Sequence, residues 1–296
     1  MLAAGLATRY GGCKPLAPVG LAGEALVDLT ASDAFRAGFD HLVIVVGPST
    51  GPAIRYHVRR LWPGDLDVDF VEQDVPLGTA HAVLCAEAAL RGQGPFAVVN
   101  ADDIYGEAAL TLLQRYLKES AGHGLVAYAL RNTLSSDAPV TRGVCSSVGG
   151  GSLGAVTERR LVRREADGRI TSSDGLDPVE LDPDVLVSMN LWGFGQSIFP
   201  ALESAVEAFR RRSGAGASGA AGTPRPGGQR SGAVGSSAKE VLLPDVVAGL
   251  VGQGEPFTLL RTDEPCIGVT HASDIPSVTA ALAESVSLGL RPQNPW

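Results

Sequence analysis

Cysteine is scarce and scattered. The chain of 296 residues has four, Cys13, Cys85, Cys145 and Cys266, with no C-x-x-C pair among them. Neither a zinc site nor a disulfide framework is indicated, and a reducing, cytoplasmic setting is expected. Long apolar runs are missing too. None approaches the ~20 residues needed to cross a bilayer, and no basic flank with a long hydrophobic stretch opens the chain, so neither a membrane span nor a secretion signal is expected. Positive charge is in deficit, with 24 Lys and Arg against 32 Asp and Glu and a formal net charge of -8. Gripping a polyanionic backbone requires clustered cations, so nucleic acid is not an expected partner and any bound phosphate should be small and locally held. What remains, 45% hydrophobic and 19% charged residues, is the material of a globular core, and one large α/β domain is the expectation.

Short apolar runs alternate with segments of helical spacing, the pattern of a largely parallel sheet covered by helices. His41 to Val46, Val68 to Val71 and Phe96 to Val99 read as strands. Glu24 to Ala37, Pro52 to Leu61 and Gly78 to Leu90 read as helices, the first stopped by Gly38 and the second with Pro52 in its opening turn. Leu110, Leu113 and Leu117 put an apolar stripe on a further helix. After Gly124 the texture turns toward strands, at Leu125 to Leu130, Ala155 to Arg159 and Val185 to Phe194, with helix resuming near Ser197 to Arg212. Residues 213 to 237 are almost wholly Gly, Ala, Ser, Pro and Arg, too poor in apolar side chains to offset the entropy of ordering them, and read as a flexible insertion. From Lys239 the pattern predicts a helix through Leu250, strands near Phe257 to Leu260 and Cys266 to Val269, and a last helix from Ser273 to Leu288.

Three segments can carry chemistry. The first runs Leu2-Ala3-Ala4-Gly5-Leu6-Ala7-Thr8-Arg9-Tyr10-Gly11-Gly12-Cys13-Lys14-Pro15. Its small residues let backbone N–H groups approach an anion, and Arg9 and Lys14 add positive charge, a combination suited to a triphosphate. It is not a P-loop, because Pro15 stands where a Ser or Thr would hold magnesium. The second, Glu72 to Ala82, sets the side-chain amide of Gln73 just before Gly78-Thr79-Ala80 at a helix start. An amide offers donor and acceptor to a base edge, and N–H groups at a helix N-terminus are ready partners. The third, Phe96 to Gly106, puts Asp102 and Asp103 directly after a buried strand, where ligands gather in open α/β sheets. Magnesium commonly takes one or two carboxylates and fills its other positions with phosphate oxygens and water. Each has a plainer reading beside it: a glycine-rich turn, a helix-capping turn, and an Asp103 that caps the next segment. His81 reads as a packed or solvent-facing helix residue.

In this order, the motifs resemble those of the sugar nucleotidyltransferase family, whose opening L-A-A-G-x-G-T-R is followed by a Lys-Pro. The short spacing from Arg9 to Lys14 also looks like the molybdenum-cofactor guanylyltransferase and isoprenoid cytidylyltransferase branches. The resemblance implies a Rossmann-like three-layer α/β/α nucleotidyltransferase fold with a mostly parallel central sheet. Ala7 stands where the family has Gly, and the strand that normally precedes the motif is expected to be missing. One domain is implied, with residues 1–123 as its nucleotide-binding half and 124–296 as its acceptor-binding half. The resemblance further implies Arg9, Lys14 and Asp102 as catalytic residues, Asp102 as ligand of Mg2+, and Ala3, Ala4, Gly5, Gln73, Gly78 and Thr79 as nucleotide contacts. Glu158 and Asn190 take the acceptor side, in segments that look like those holding the sugar hydroxyls. A second metal ligand from a late strand stays unassigned, since the stretch there offers Thr270, His271 or a water.

The implied reaction is in-line attack by a phosphate oxygen of the acceptor, a sugar 1-phosphate or similar molecule, on the α-phosphorus of a nucleoside triphosphate, releasing pyrophosphate. Two rivals stand beside it: a metal-dependent glycosyltransferase using a nucleotide-sugar, and a nucleotide-binding protein without catalysis. Gly149 to Gly154 formally contains G-x-G-x-x-G and G-x-S-x-G, but no strand leads in and no helix follows, so neither a dinucleotide site nor a nucleophilic serine is expected there. Base, acceptor identity and oligomeric state are not legible.

Overall fold

The computed structural model describes residues 1–5, 10–134, 138–217, 240–269 and 271–296. The first half alternates strand and helix: β1 (Leu2–Ala3), α1 (Leu26–Arg36), β2 (His41–Val46), α2 (Gly51–Leu61), β3 (Asp67–Glu72), α3 (Thr79–Cys85), α4 (Glu87–Leu90), β4 (Phe96–Val98), β5 (Asp103–Ile104) and α5 (Glu107–Glu119). The second half runs β6 (His123–Ala129), β7 (Val140–Val148), β8 (Ser152–Arg164), β9 (Ile170–Ser172), β10 (Glu180–Leu181), β11 (Leu186–Phe194), α6 (Phe199–Ala217), α7 (Leu243–Gly252), β12 (Phe257–Thr262), β13 (Ile267–Gly268) and α8 (Ile275–Ser287).

The central sheet has the order β3-β2-β1-β4-β11-β6-β12, joined between β1 and β4 by a parallel bridge from Leu2 to Asn100. Within it only β11 runs against its neighbours. β2 explains why such strands read as unbroken apolar runs. Leu42, Ile44 and Val46 pack into one core beside Ala31, Ile54 and Leu110, whereas Val43 and Val45 pack with Ala82 and Ala86 on the opposite face. Burial on both faces removes the polar alternation of a half-exposed strand. β6 divides likewise, with Val126 and Tyr128 toward the first core and Leu125 and Ala127 toward a second that includes Val83, Leu202 and Val247. Helices therefore cover the sheet on both sides, as expected.

Several expectations change in detail. The first strand is not missing: β1 lies parallel to β2, Leu2 donates its N–H to the Val99 carbonyl, and its own carbonyl accepts from Ala101. Two residues suffice because neighbours pair on both sides. The helix expected over Gly78 to Leu90 breaks at Ala86 into α3 and α4. α6 continues to Ala217, past the expected start of the insertion, and residues 218–239 lie outside the described residues. The long hairpin of β7 and β8, with β9 and β10 added at its edge, exceeds the single strand expected there. Gly150 and Gly151, both with positive φ, make its turn, so the 149–154 stretch is a hairpin tip, as its lack of a flanking helix implied. Among the described residues, no helix is long and apolar enough to cross a membrane.

Candidate active site

A cavity of about 720 Å³ opens at the carboxyl ends of β1, β3 and β4, where open α/β sheets collect ligands. One wall is the end of β1 with Ala3, Ala4 and Gly5. Thr50 holds this wall in place: its hydroxyl donates to the Ala3 carbonyl at 2.8 Å and accepts the Gly47 N–H at 3.0 Å. Gly47 approaches so closely that a Cβ there would stand 2.9 Å from the Ala4 carbonyl oxygen. Residues 6–9, including the proposed catalytic Arg9, lie outside the described residues. Beyond them Lys14 begins a 3-10 turn, Lys14–Leu16, whose Pro15 is buried.

Lys14 Nζ lies 2.7 Å from Asp102 Oδ2, with their side chains 18% and 30% exposed. Two residues predicted to act together, from loops far apart in sequence, are thus in direct contact at the cavity. Behind them Asp103 is half-buried. Desolvation first and the neighbouring Asp102 second push its carboxyl up to about 6, against the donor Asn100 and the charges of Lys14 and Arg142. Asn100 Nδ2 donates to Asp103 Oδ2 at 3.0 Å, which fixes the amide while Asn100 lines the cavity. Gly268 on β13 leaves room for that carboxylate, since a Cβ would stand 2.4 Å from Asp103 Oδ1. Tyr105, buried, ties two walls together: its hydroxyl accepts the Asn100 N–H and donates to the Met189 carbonyl, both at 3.0 Å. Met189 precedes Asn190, whose φ of 62° marks the irregularity where β11 shifts register against β6 between Ser188 and Leu191. That kink delivers Asn190 to the cavity, with its Oδ1 accepting from Trp192 Nε1 at 3.3 Å.

On the opposite wall Gln73, 5% exposed, follows β3. Its Nε2 donates to the Gly78 carbonyl at 3.0 Å, which sets the orientation of the amide, and lies 3.1 Å from His81 Nδ1. Arg210 Nη2 stands 3.3 Å from His81 Nε2. A guanidinium only donates, so Nε2 accepts there. Burial, then Arg210, holds the imidazole below its usual range and therefore neutral. His81 is a packed residue, as expected, set directly behind the cavity wall.

Gly78 has φ 110°, open only to glycine, and its missing Cβ is filled by another segment: a Cβ would fall 2.5 Å from the Val241 carbonyl oxygen and 2.8 Å from its nitrogen. Residues 240–243 form a strap over the turn. Val241 N–H donates to the Leu77 carbonyl at 2.7 Å, Ala80 N–H donates to the Val241 carbonyl at 3.0 Å, and Leu243 N–H donates to Thr79 Oγ1 at 2.8 Å. The expectation of free N–H groups at this helix start is therefore altered, because the chain itself occupies that of Ala80. Glu240 joins Gln73, Gly78 and Thr79 on the cavity wall.

Of the residues singled out from sequence, the cavity gathers Ala3, Ala4, Gly5, Lys14, Gln73, Gly78, Thr79, Asp102 and Asn190. Glu158 is not among its lining residues; it is exposed on β8 and accepts from Arg160 Nε at 2.6 Å. Of the residues considered for a second metal ligand, Thr270 lies outside the described residues, and His271 and Asp274 form a reciprocal cap at the start of a 3-10 turn. Asn100, Tyr105 and Glu240 were not assigned roles. The first two stood inside the third motif, where a buried Tyr hydroxyl needing partners was a usable signal. Glu240 follows a low-complexity stretch and carried none.

Fold and site together define an α/β protein whose motif-bearing loops line one cavity at the strand ends. The chain belongs to the MobA-like NTP transferase domain family, whose model matches residues 1–213. Among curated relatives, the bifunctional protein GlmU of Hyphomonas neptunium is 33% identical over 162 residues, covering 54% of this chain and 33% of that protein. GlmU of Caulobacter vibrioides is 40% identical over 93 residues, covering 30% and 19%. The chain thus spans a third or less of the length of these relatives. Among solved structures, UDP-glucose pyrophosphorylase from Acinetobacter baumannii matches with a TM-score of 0.61 at 18% identity, covering 98% of this chain and 97% of that one. A UDP-glucose pyrophosphorylase complexed with UDP-glucose matches with a TM-score of 0.61 at 16% identity over 96% and 97%. At such identities the likeness establishes the fold.

Proposed function

We propose that this protein transfers a nucleoside monophosphate from a nucleoside triphosphate to a sugar 1-phosphate, releasing pyrophosphate. The observation that carries the reading is the Lys14–Asp102 contact at 2.7 Å on the wall of a cavity that also holds Gln73, Gly78 and Thr79. Gln73 and the Gly78 turn take the base. The backbone of Ala3, Ala4 and Gly5, with Arg9 and Lys14, receives the triphosphate, and Asn190 faces the acceptor. Asn100 and Tyr105 hold the acceptor wall against the carboxylate wall. Glu158 serves the acceptor only if its strand approaches on binding.

The family membership and the UDP-glucose pyrophosphorylase fold support this class of chemistry. No covalent intermediate is required, so the protein's task is alignment and neutralisation of phosphate charge. Lys14 offsets charge on the triphosphate and on departing pyrophosphate. The donor set, a carboxylate of Asp102 beside the fixed amide of Asn100, consists of oxygens and suits a hard cation such as Mg2+. Among the described residues no group of three or more His, Cys, Asp or Glu could hold a metal alone, so a bound ion would take phosphate oxygens and water besides. When bound there, the ion would polarise phosphate oxygens. All four cysteines are free, which suits a reducing, cytoplasmic setting.

The reading is tested with purified variants. Lys14→Ala and Asp102→Ala should each lower pyrophosphate release by roughly 10²-fold or more with the circular dichroism spectrum unchanged. Near-normal turnover in either variant would refute the assignment.

A further inference from the structure

Asp102 is a carboxylate that a divalent cation would use, yet one of its oxygens already faces an ammonium at 2.7 Å. Any cation on the same carboxylate would stand within ordinary ion-pair range of Lys14 and be repelled by it. The neighbouring acid in sequence does not relieve this. Asp103 is turned inward, with Oδ2 bound by Asn100 and Oδ1 packed over Gly268. The described residues offer no cluster of three ligands to outweigh the repulsion.

We propose that Lys14 is the resident counter-ion of Asp102 and keeps divalent cations off this carboxylate in the nucleotide-free protein. The base of Lys14 is anchored, because Pro15 is buried and the following turn closes through Leu16 N–H to Cys13 and Ala17 N–H to Lys14. Its head is a compact charge on a flexible stem, able to exchange one anionic partner for another without moving the loop. A triphosphate entering along Ala3 to Gly5 presents several anionic oxygens to that ammonium and releases Asp102. The pair thereby makes cation binding follow nucleotide binding at this site.

The meaning of this order rests on the cavity being a triphosphate site, but its measurement needs no turnover. Mn2+ alone is titrated into nucleotide-free protein and free Mn2+ is followed by electron paramagnetic resonance. Wild type and Lys14→Arg, which retains the charge, should bind weakly. Lys14→Met should bind one Mn2+ per chain about tenfold more tightly or better, as expected when a unit charge is removed at such range. Lys14→Met combined with Asp102→Asn should lose the gain. Should Lys14→Met fail to fold, Lys14→Gln replaces it. Equal Mn2+ affinity in wild type and Lys14→Met, or a gain that survives the loss of Asp102, would overturn the proposal. Absence of pyrophosphate release would instead refute the transferase reading and leave the Mn2+ result standing.

Discussion

Gly78→Ala is the substitution whose cost the structure defines most closely. At φ 110° and ψ 179° the backbone occupies a region open essentially to glycine, where another residue costs about 1–3 kcal/mol. The new methyl would lie 2.5 Å from the Val241 carbonyl oxygen, which is backbone and cannot rotate aside. Relief requires lifting the strap, breaking the bonds Val241 N–H to Leu77 and Ala80 N–H to Val241, each worth about 1 kcal/mol net. The sum is about 3–5 kcal/mol, or a loss on the order of 10 °C in Tm for a chain of this size. The assay is thermal unfolding together with hydrogen exchange of the Ala80 and Val241 amides. If the strap detaches alone, Tm falls less and those two amides lose protection together with Leu243. Unchanged Tm with both amides still protected would refute the argument that Gly78 is required by the strap.

Tyr105→Phe removes one acceptor and one donor, leaving the half-buried Asn100 N–H and the buried Met189 carbonyl without this partner. About 2–4 kcal/mol of stability should be lost, with a raised KM for the acceptor, and urea unfolding with initial-rate kinetics reads both. Asp103 gives a pH dependence. Its carboxyl is raised from 3.8 to about 6, so between those values the folded chain holds a proton that the unfolded chain has released. Its contribution to stability therefore falls as pH rises through that window and stays lost above it. Asp103→Asn should flatten urea-unfolding stability between pH 4 and 6.5 and be more stable than wild type at pH 7.5; a less stable variant at pH 7.5 would contradict the sign.

The first half of the chain was legible because its signals are local. β2 carries apolar residues on both faces, α1 ends at a glycine with φ 93°, and α2 has its proline in the first turn. Lys14, Gln73, Gly78 and Asp102 were readable because small residues and acids at strand ends leave a dense pattern. What escaped is non-local. The strap over Gly78 comes from 163 residues further along, at Val241, behind a stretch with no apolar periodicity. The hairpin of β7 and β8 is largely exposed, so the alternation that reveals a strand buried on one face is weak over much of its length. The bridging hydroxyl of Tyr105 joins β11 to the carboxylate loop across 84 residues of sequence, a relation only the fold creates.

The central claim is tested most directly by pyrophosphate release, measured for each common nucleoside triphosphate against a panel of sugar 1-phosphates, with and without a chelator of divalent cations. The account predicts release with a defined pair of substrates, stoichiometric with formation of a nucleotide-sugar and abolished by chelation. Tight nucleotide binding with no pyrophosphate from any pair would contradict it and favour a binding protein built on the same fold.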